Sequence, residues 1–271
     1  MIKLVVTDMD GSLLNDAKEI PTDFYEIFAD LKRQSIQFVV ASGRQMYTLQ
    51  HDVFDVRESV YFISENGAFV AKGDQVLHLD ALPREAVNEL LEAGATVPDA
   101  YFILCGKNSA YVRDTDVRFL NEAKKFFKRL EIVEDFASID DDILKVTMCD
   151  FRNAEFNSLR YFERFSDRFK VTIGAERYLD VTSLTANKGH ALRGLQTQLG
   201  ITPEETIVFG DYLNDLEMMQ AATYSYAMKN AHPEILQTAN FITEWDNNES
   251  GVTRTLRALG LAQKPSAAKS C

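Results

Sequence analysis

Short apolar, β-branched segments alternate with amphipathic stretches along the first 65 residues. The strand-like segments are IKLVVT (2–7), IQFVVA (36–41) and VYFIS (60–64). Their composition is typical of strands that are buried on both faces. Between the first two, apolar residues recur at the spacing of one helix face from Phe24 to Leu31. This alternation predicts parallel strands joined by right-handed helical crossovers.

The same rhythm returns after Asn187 and differs from what lies between. An amphipathic helix KGHALRGLQTQLG (188–200) leads into an apolar strand TIVFG (206–210), and a further helix is predicted over 214–222. The middle of the chain instead mixes predicted helices, one of them over 153–165, with hairpins, for example across Lys107 and Asn108. Such a mixture is typical of an α+β layer.

These patterns predict an α/β fold with two parts. Residues 1–82 and 184–271 would form a doubly wound, parallel-sheet core of Rossmann-like type. Residues 83–183 would form an α+β cap domain inserted into it.

Charge and cysteine content narrow the partners. A net charge of -12 argues against a nucleic-acid surface, which would be basic, and against an anionic membrane. No apolar run approaches the ~20 residues of a membrane-spanning helix. The three cysteines, Cys105, Cys149 and Cys271, are scattered, which favours a reduced, cytoplasmic protein. Cys105 and Cys149 lie in apolar runs and are predicted to be packed thiols.

Two acidic residues, Asp8 and Asp10, end the first strand just before Gly11. Residues i and i+2 of an extended chain project to the same side. The carboxyl edge of an open parallel sheet is where ligands bind. The alternative is an Asx-turn that only ends the strand.

A second acidic group follows a second buried strand in GDYLND (210–215). Asp211 would reach the same edge, and clustered carboxylates need a cation to offset their repulsion. Oxygen ligands suit Mg²⁺, which often accompanies phosphate. Capping of the next helix by Asp211 or Asn214 explains one acid but not the whole set.

Two further junctions fit an anion. In ASGR (41–44), Ser42 and Gly43 precede a helix whose free N–H groups form a phosphate cradle. Lys188 stands at a helix N-terminus, where a cation opposes the helix dipole unless an anion is bound nearby. Each feature is also compatible with ordinary loop and surface chemistry.

The ordered set of DMDGS, ASGR, ENGA (65–68), NKG (187–189) and GDYLND resembles the haloacid dehalogenase superfamily of phosphotransferases. The closest resemblance is to its Cof-type (subfamily IIB) phosphatases, which carry the larger α+β cap, and among them to bacterial sugar phosphatases. The resemblance covers almost the whole chain.

The resemblance implies a role for each motif residue. Asp8 would be the nucleophile that forms an aspartyl-phosphate, and Asp10 the acid that protonates the leaving alcohol and later activates water. Mg²⁺ would be held by Asp8, the main-chain carbonyl of Asp10, and Asp211. The phosphoryl oxygens would be bound by Ser42, Gly43, Lys188, Asn214 and the backbone around Met9. Asp215 would be an acid behind the metal ligands or an occasional ligand itself. Arg44, Asn66 and Gly67 would line the cavity near the leaving group.

Three further expectations concern particular positions. A neighbouring carboxylate and partial burial are expected to raise the pKa of Asp10, which must be protonated in the first step. Tyr212 and Leu213, where the family has small residues, are expected to narrow the site or shift its loop. In the cap, the candidates for facing the site are Tyr111, Arg113, Lys145 and Arg177, although an ordinary surface position is the default interpretation of each.

The function predicted is hydrolysis of small phosphorylated metabolites, sugar phosphates first, by a monomer or weak homodimer. One alternative is a phosphomutase or phosphotransferase on the same core. A second is a non-enzymatic, receiver-like switch that uses a stable phosphorylated aspartate.

Overall fold

A computed structural model describes residues 1–263; Cys271 lies outside this range. The strands are β1 (Leu4–Asp8), β2 (Gln37–Ala41), β3 (Tyr61–Ser64), β4 (Phe69–Lys72), β5 (Gln75–Leu79), β6 (Ala100–Gly106), β7 (Ala110–Val112), β8 (Leu130–Ile132), β9 (Ile143–Asp150), β10 (Phe169–Ala175), β11 (Tyr178–Ser183), β12 (Thr206–Gly210), β13 (Tyr224–Ala227) and β14 (Phe241–Ile242). The helices are α1 (Phe24–Arg33), α2 (Met46–Asp52), α3 (Arg84–Gly94), α4 (Val117–Phe126), α5 (Leu159–Phe162), α6 (Lys188–Leu199), α7 (Leu216–Met219), α8 (Pro233–Thr238) and α9 (Gly251–Ala258).

The strands of residues 1–263 form two sheets. The first, here called the core sheet, has the order β14-β13-β12-β1-β2-β3-β4-β5, and its first six strands in that order are parallel. The second, here called the cap sheet, has the order β10-β11-β9-β6-β7-β8 and is mostly antiparallel. The predicted fold class is confirmed. The domain boundaries at 82 and 184 stay a prediction, with which the two sheets agree.

The order of the core sheet explains where its polar residues meet. β1 lies between β12 and β2, with Thr7 beside Phe209 and Asp8 beside Ala41. All five residues of β1 are buried, as the apolar run predicts. The carboxyl ends of three neighbouring parallel strands therefore converge at one edge of the sheet.

Helices cover both faces of the cap sheet. Val146 and Met148 of β9 pack on the side of α3, with Val87 and Leu90. The other face packs against α4 through Phe119 and Ala123 of the helix. Cys105 and Cys149 are buried on this second face, and burial raises the pKa of both thiols, so the prediction of packed thiols is confirmed.

Two predicted helices are shorter than expected. The segment 214–222 contains only a tight turn at 213–215 and the single-turn helix α7. The reason is Asp215, whose carboxylate accepts the main-chain N–H of Asp211 and of Tyr212 and so closes a turn ahead of the helix. The helix predicted over 153–165 begins with a wide turn at 154–158, and α5 follows.

No helix among the described residues combines the length and apolar character needed to cross a membrane.

Candidate active site

Four charged side chains meet at the carboxyl edge of the core sheet. Lys188, the first residue of α6, places Nζ 2.6 Å from Oδ1 of Asp8 and 2.7 Å from Oδ1 of Asp215. Asp211, just beyond β12, brings a carboxylate oxygen within 4.8 Å of oxygens of both aspartates. Lys188 and Asp215 are fully buried. Residues predicted from distant segments of the chain are thus brought together.

Local sequence positions each of these groups. Asn187 caps α6, its side chain accepting the N–H of His190 at 2.7 Å, and this starts the helix at Lys188. Gly11 has φ +76°, and a Cβ there would overlap the carboxylate of Asp211. Only glycine provides both the turn and the space at this point. Ser12 then donates its hydroxyl to Oδ1 of Asp211 at 3.3 Å.

The electrostatics of the group leave negative charge uncompensated. Burial raises the pKa of Asp8 well above its ordinary value, and Lys188 opposes this effect less strongly than burial promotes it. Burial and the neighbouring Asp215 raise the pKa of Asp211 to about 7. Burial lowers the pKa of Lys188, but Asp215 and Asp8 outweigh it, so the lysine stays charged. Among the residues that the structure describes, one ammonium therefore faces three carboxyl groups at this site.

The donor set fits a hard divalent cation. All the free groups are carboxylate oxygens, which Mg²⁺ prefers. The carboxylate of Asp215 is not free to bind a metal, because its oxygens already accept hydrogen bonds from Lys188 and from the N–H groups of Asp211 and Tyr212. Asp8 and Asp211 are the carboxylates of this group best placed to hold a metal.

The predicted phosphate-binding residues form an adjacent group. Asn66 lies against Gly43, where a Cβ would come within 2.9 Å of its amide oxygen. Asn214 donates its amide to the same oxygen at 3.1 Å. Ser42 is buried, and its hydroxyl accepts the N–H of Arg44 at 3.2 Å.

The turn that carries Asn66 is strained. Glu65, Asn66 and Gly67 have φ values of +49°, +55° and +106°, a left-handed run that costs of order 1–3 kcal/mol for each non-glycine residue. A Cβ on Gly67 would overlap the carbonyl of Asn187, so the turn packs directly on the start of α6. Met9, next to Asp8, is buried in the core of the protein.

Asp10 does not have the environment that we expected. Arg44 donates from Nε and Nη2 to both oxygens of its carboxylate, at 2.7 and 2.5 Å, and Lys18 donates to Oδ1 at 2.7 Å. Burial acts to raise the pKa of Asp10, but these two cations outweigh it and lower that pKa. The expectation of a raised pKa is wrong for this structure.

Two expectations about bulk and exposure also need correction. Tyr212 and Leu213 are exposed, and Tyr212 packs edge to face on His232, so these side chains do not fill the site. Tyr111 and Lys145 are buried instead of lying on the surface.

Two residues at the site were not found from the sequence. Lys18 and Asp52 both belong to the ion-pair network around Arg44, with Asp52 2.7 Å from Nη1. Lys145 was a candidate for facing the site, but its partner was not predicted: it forms an ion pair with Glu65 at 2.7 Å. A signal for Lys145 existed, because a single charge inside the apolar run ILKVTMCD requires a buried partner.

Comparison with known proteins gives independent evidence of the family to which the chain belongs. Residues 5–256 match a family described as haloacid dehalogenase-like hydrolase. The chain is 32% identical over 255 residues to the 5-amino-6-(5-phospho-D-ribitylamino)uracil phosphatase YbjI of Escherichia coli K12, covering 93% of each protein. It superposes on SMU.1108c of Streptococcus mutans UA159 with a TM-score of 0.84 at 28% identity, covering 97% of this chain and 100% of that one. The subclass IIB sugar phosphatase BT4131 shares the fold, with a TM-score of 0.79 at 20% identity over 96% of this chain and 99% of that one.

Proposed function

The chain belongs to the haloacid dehalogenase-like hydrolase family, and we propose that it is a Mg²⁺-dependent phosphatase of small phosphorylated metabolites, sugar phosphates first. The family and the enzyme class predicted from the sequence, a phosphatase, are confirmed. The metal, the substrate and the residue roles that follow belong to the proposal. So do a cytoplasmic location and a monomer or weak homodimer.

The observation that carries the proposal is the position of Lys188 between Asp8 and Asp215, with Asp211 beside them. Lys188 fixes the orientation of the Asp8 carboxylate at the end of β1. Asp8, Asp211 and the main-chain carbonyl of Asp10 would hold Mg²⁺. The ion would supply positive charge that stabilises the transferring phosphoryl group.

The chemistry of the side chains runs in two displacements. Asp10, which Arg44 and Lys18 keep ionised, first takes up a proton as one of these cations moves away. An Asp8 carboxylate oxygen then attacks phosphorus, the bond from phosphorus to the leaving oxygen breaks, and Asp10 gives that oxygen its proton. Water then attacks the aspartyl-phosphate while Asp10 takes its proton, and the bond between Asp8 and phosphorus breaks. Phosphate leaves, and both aspartates return to their starting states.

Ser42, Gly43, Asn214 and Lys188 would bind the phosphoryl oxygens through both steps. This assignment is supported by the contact of Asn214 and Gly43 with the same side chain, Asn66. The network of Arg44 and Lys18 would orient Asp10 toward the leaving group.

A second candidate substrate comes from one relative. YbjI is named for 5-amino-6-(5-phospho-D-ribitylamino)uracil, a phosphate monoester that carries a polyol chain. It shares with sugar phosphates the presence of hydroxyl groups near the phosphate, and the core site described above does not distinguish the two.

The test is a phosphate-release screen of the purified chain with Mg²⁺. The panel contains sugar phosphates, nucleotides, flavin mononucleotide, pyridoxal phosphate and the ribitylaminouracil phosphate. We expect turnover of sugar or polyol phosphates, and its loss in Asp8→Asn with an unchanged circular dichroism spectrum. Retention of about a tenth of the activity by that variant would remove Asp8 as the nucleophile. Transfer of phosphate to an added sugar, without release, would favour the phosphotransferase alternative.

A further inference from the structure

A polar strip crosses one face of the cap sheet. Lys145 and Thr147 of β9 point to the same side, because they are two residues apart in a strand. Asp180 of β11 is the direct neighbour of Thr147, and its Oδ1 accepts the threonine hydroxyl at 2.5 Å. Other residues of this face are apolar and pack on α4, among them Ile103 and Cys149.

This strip contacts the turn at 65–67 that carries Asn66. Nζ of Lys145 lies 2.7 Å from Oε2 of Glu65 and 3.8 Å from Oδ2 of Asp180. Glu65 is the residue immediately before Asn66, and its N–H donates to the carbonyl of Arg44 at 3.1 Å. The polar strip therefore contacts Glu65, and the next residue in the chain, Asn66, belongs to the group with Gly43 and Asn214.

The cluster has an unused acceptor. Glu65 is 1% exposed, yet among the described residues its Oε1 has no hydrogen-bond partner. A buried carboxylate oxygen without a donor is costly, and native proteins rarely leave one. The two carboxylates share one ammonium, and burial raises the pKa of Glu65 in spite of Lys145. The missing partner is a hydrogen-bond donor.

We propose that Glu65, Lys145, Thr147 and Asp180 form a subsite for the hydroxyl groups of the leaving group. The proposal rests on the proposed phosphatase function and narrows its substrates to phosphate monoesters of polyols or sugars. A hydroxyl near the phosphate donates to Oε1 of Glu65, and a second donates to Asp180. Lys145 donates to a hydroxyl oxygen. Asp180, whose side chain is 19% exposed, marks the side from which the ligand reaches the cluster.

A purely structural ion pair between the two sheets is the competing explanation. It would stabilise the protein but would not distinguish one leaving group from another. A matched pair of substrates separates the two explanations: sorbitol 6-phosphate carries hydroxyls along a six-carbon chain, and hexyl phosphate carries none. Both have alkyl leaving groups, so leaving-group chemistry is similar.

The experiment compares kcat/KM on this pair for the wild type, Glu65→Gln, Asp180→Asn and Thr147→Val. Loss of a hydrogen bond to a charged group is expected to lower kcat/KM for sorbitol 6-phosphate about 10- to 100-fold in Glu65→Gln, and to leave hexyl phosphate within about twofold. Glu163→Gln, an exposed residue of the cap segment, is the control and should change neither value. Equal losses on both substrates would show that Glu65 only supports the turn or the fold. No loss on either would also overturn the subsite.

A binding measurement separates this proposal from the proposed function. In an Asp8→Asn background, titration calorimetry with Mg²⁺ present gives Kd for sorbitol 6-phosphate and for hexyl phosphate without turnover. We expect tighter binding of the polyol, and loss of that preference when Glu65→Gln is added. If the wild type releases no phosphate from either compound, the proposed function fails while this preference still tests the subsite. If the Asp8→Asn protein binds both compounds equally, the subsite is wrong even for an active phosphatase.

Discussion

Arg44 donates hydrogen bonds to both carboxylate oxygens of Asp10, with Nε 2.7 Å from Oδ2 and Nη2 2.5 Å from Oδ1. Asp52 holds the other side of the guanidinium at 2.7 Å, so the arginine is fixed between two acids. This bidentate geometry sets the orientation of Asp10. It also lowers the pKa of the carboxyl, so in the proposed mechanism Asp10 must be released from one of its cations before it can carry the proton of the first step.

We predict that Arg44 acts through Asp10. Arg44→Met should lower kcat for an alkyl phosphate about 10- to 100-fold, because a misplaced acid loses its alignment with the leaving oxygen. Asp10→Asn should lower it further, and an aryl phosphate with a good leaving group should suffer less from either change. The double variant should be no worse than Asp10→Asn alone. Additive losses would show that Arg44 acts independently of Asp10, and Arg164→Met at an exposed position of the cap segment is the control.

Removal of the metal should affect stability as well as turnover. Within residues 1–263, Lys188 is the one cation that contacts the carboxylates of Asp8 and Asp215, and Asp211 lies beside them, so a bound cation relieves their repulsion. A chelator should abolish turnover, and added Mg²⁺ should restore it. Mg²⁺ at about 100 times its Kd should add about 2.7 kcal/mol to the free energy of unfolding. Thermal unfolding with and without Mg²⁺ measures this.

Asp211→Asn should weaken the stabilisation by Mg²⁺, because it removes one of the two free carboxylates. Asp167→Asn on the exposed surface should leave it unchanged. Activity that survives the chelator would contradict the metal assignment, whatever the variants do.

Glycine substitutions give a sharper test of the position of Asp211. Gly11→Ala places a methyl group where the carboxylate lies and forces alanine into a left-handed conformation, which costs about 1–2 kcal/mol. We expect about a tenfold rise in the Mg²⁺ concentration for half-maximal activity. Gly194→Ala, inside α6 with no atom within 4 Å of the new Cβ, should instead stabilise the protein by up to about 1 kcal/mol. Similar Mg²⁺ requirements in both variants would contradict the position assigned to Asp211.

Much of the core could be predicted because its signals are local. An apolar run followed by acids marks a strand end, and parallel strands bring their carboxyl ends to one edge, so the meeting of Asp8 and Asp211 could be predicted without coordinates. Lys188 could be predicted from its place at a helix N-terminus, where a cation indicates a nearby anion. The pKa of Asp10 was not predictable in this way. It depends on how closely Arg44 and Lys18 approach, and their positions relative to Asp10 are set by tertiary packing.

In the cap segment, too, contacts that depend on tertiary packing could not be predicted from the sequence. Its strands follow from apolar patterns, but the partner of a buried charge can come from any distant segment. Lys145 pairs with Glu65, 80 positions earlier in the chain, and the default surface interpretation therefore failed. The shortening of the helix predicted over 214–222 has a similar origin, since the side chain of Asp215 closes a turn that helix periodicity does not reveal.

A buried aspartate at the end of β9 gives the last prediction. Asp150 is fully buried and accepts hydrogen bonds from Ser158, from the side chain of Asn157, and from the N–H groups of Arg152 and Asn153. Burial acts to raise its pKa, but these donors outweigh it and lower the pKa. Asp150→Asn should cost about 2 kcal/mol at neutral pH, because an amide cannot satisfy the same donors.

The sign of the pH dependence follows from the lowered pKa. The stabilisation by the Asp150 carboxylate is present above its unfolded pKa, near 4, and is lost as the pH falls through the folded value. The gap in thermal unfolding midpoint between the wild type and Asp150→Asn should therefore be largest near pH 7 and shrink below about pH 4. Asp167→Asn should show no such gap at any pH, because its side chain is exposed. A gap of the same size at pH 3 and pH 7 would mean that the variant loses packing and not the charge-dependent hydrogen bonds that hold the turn after β9.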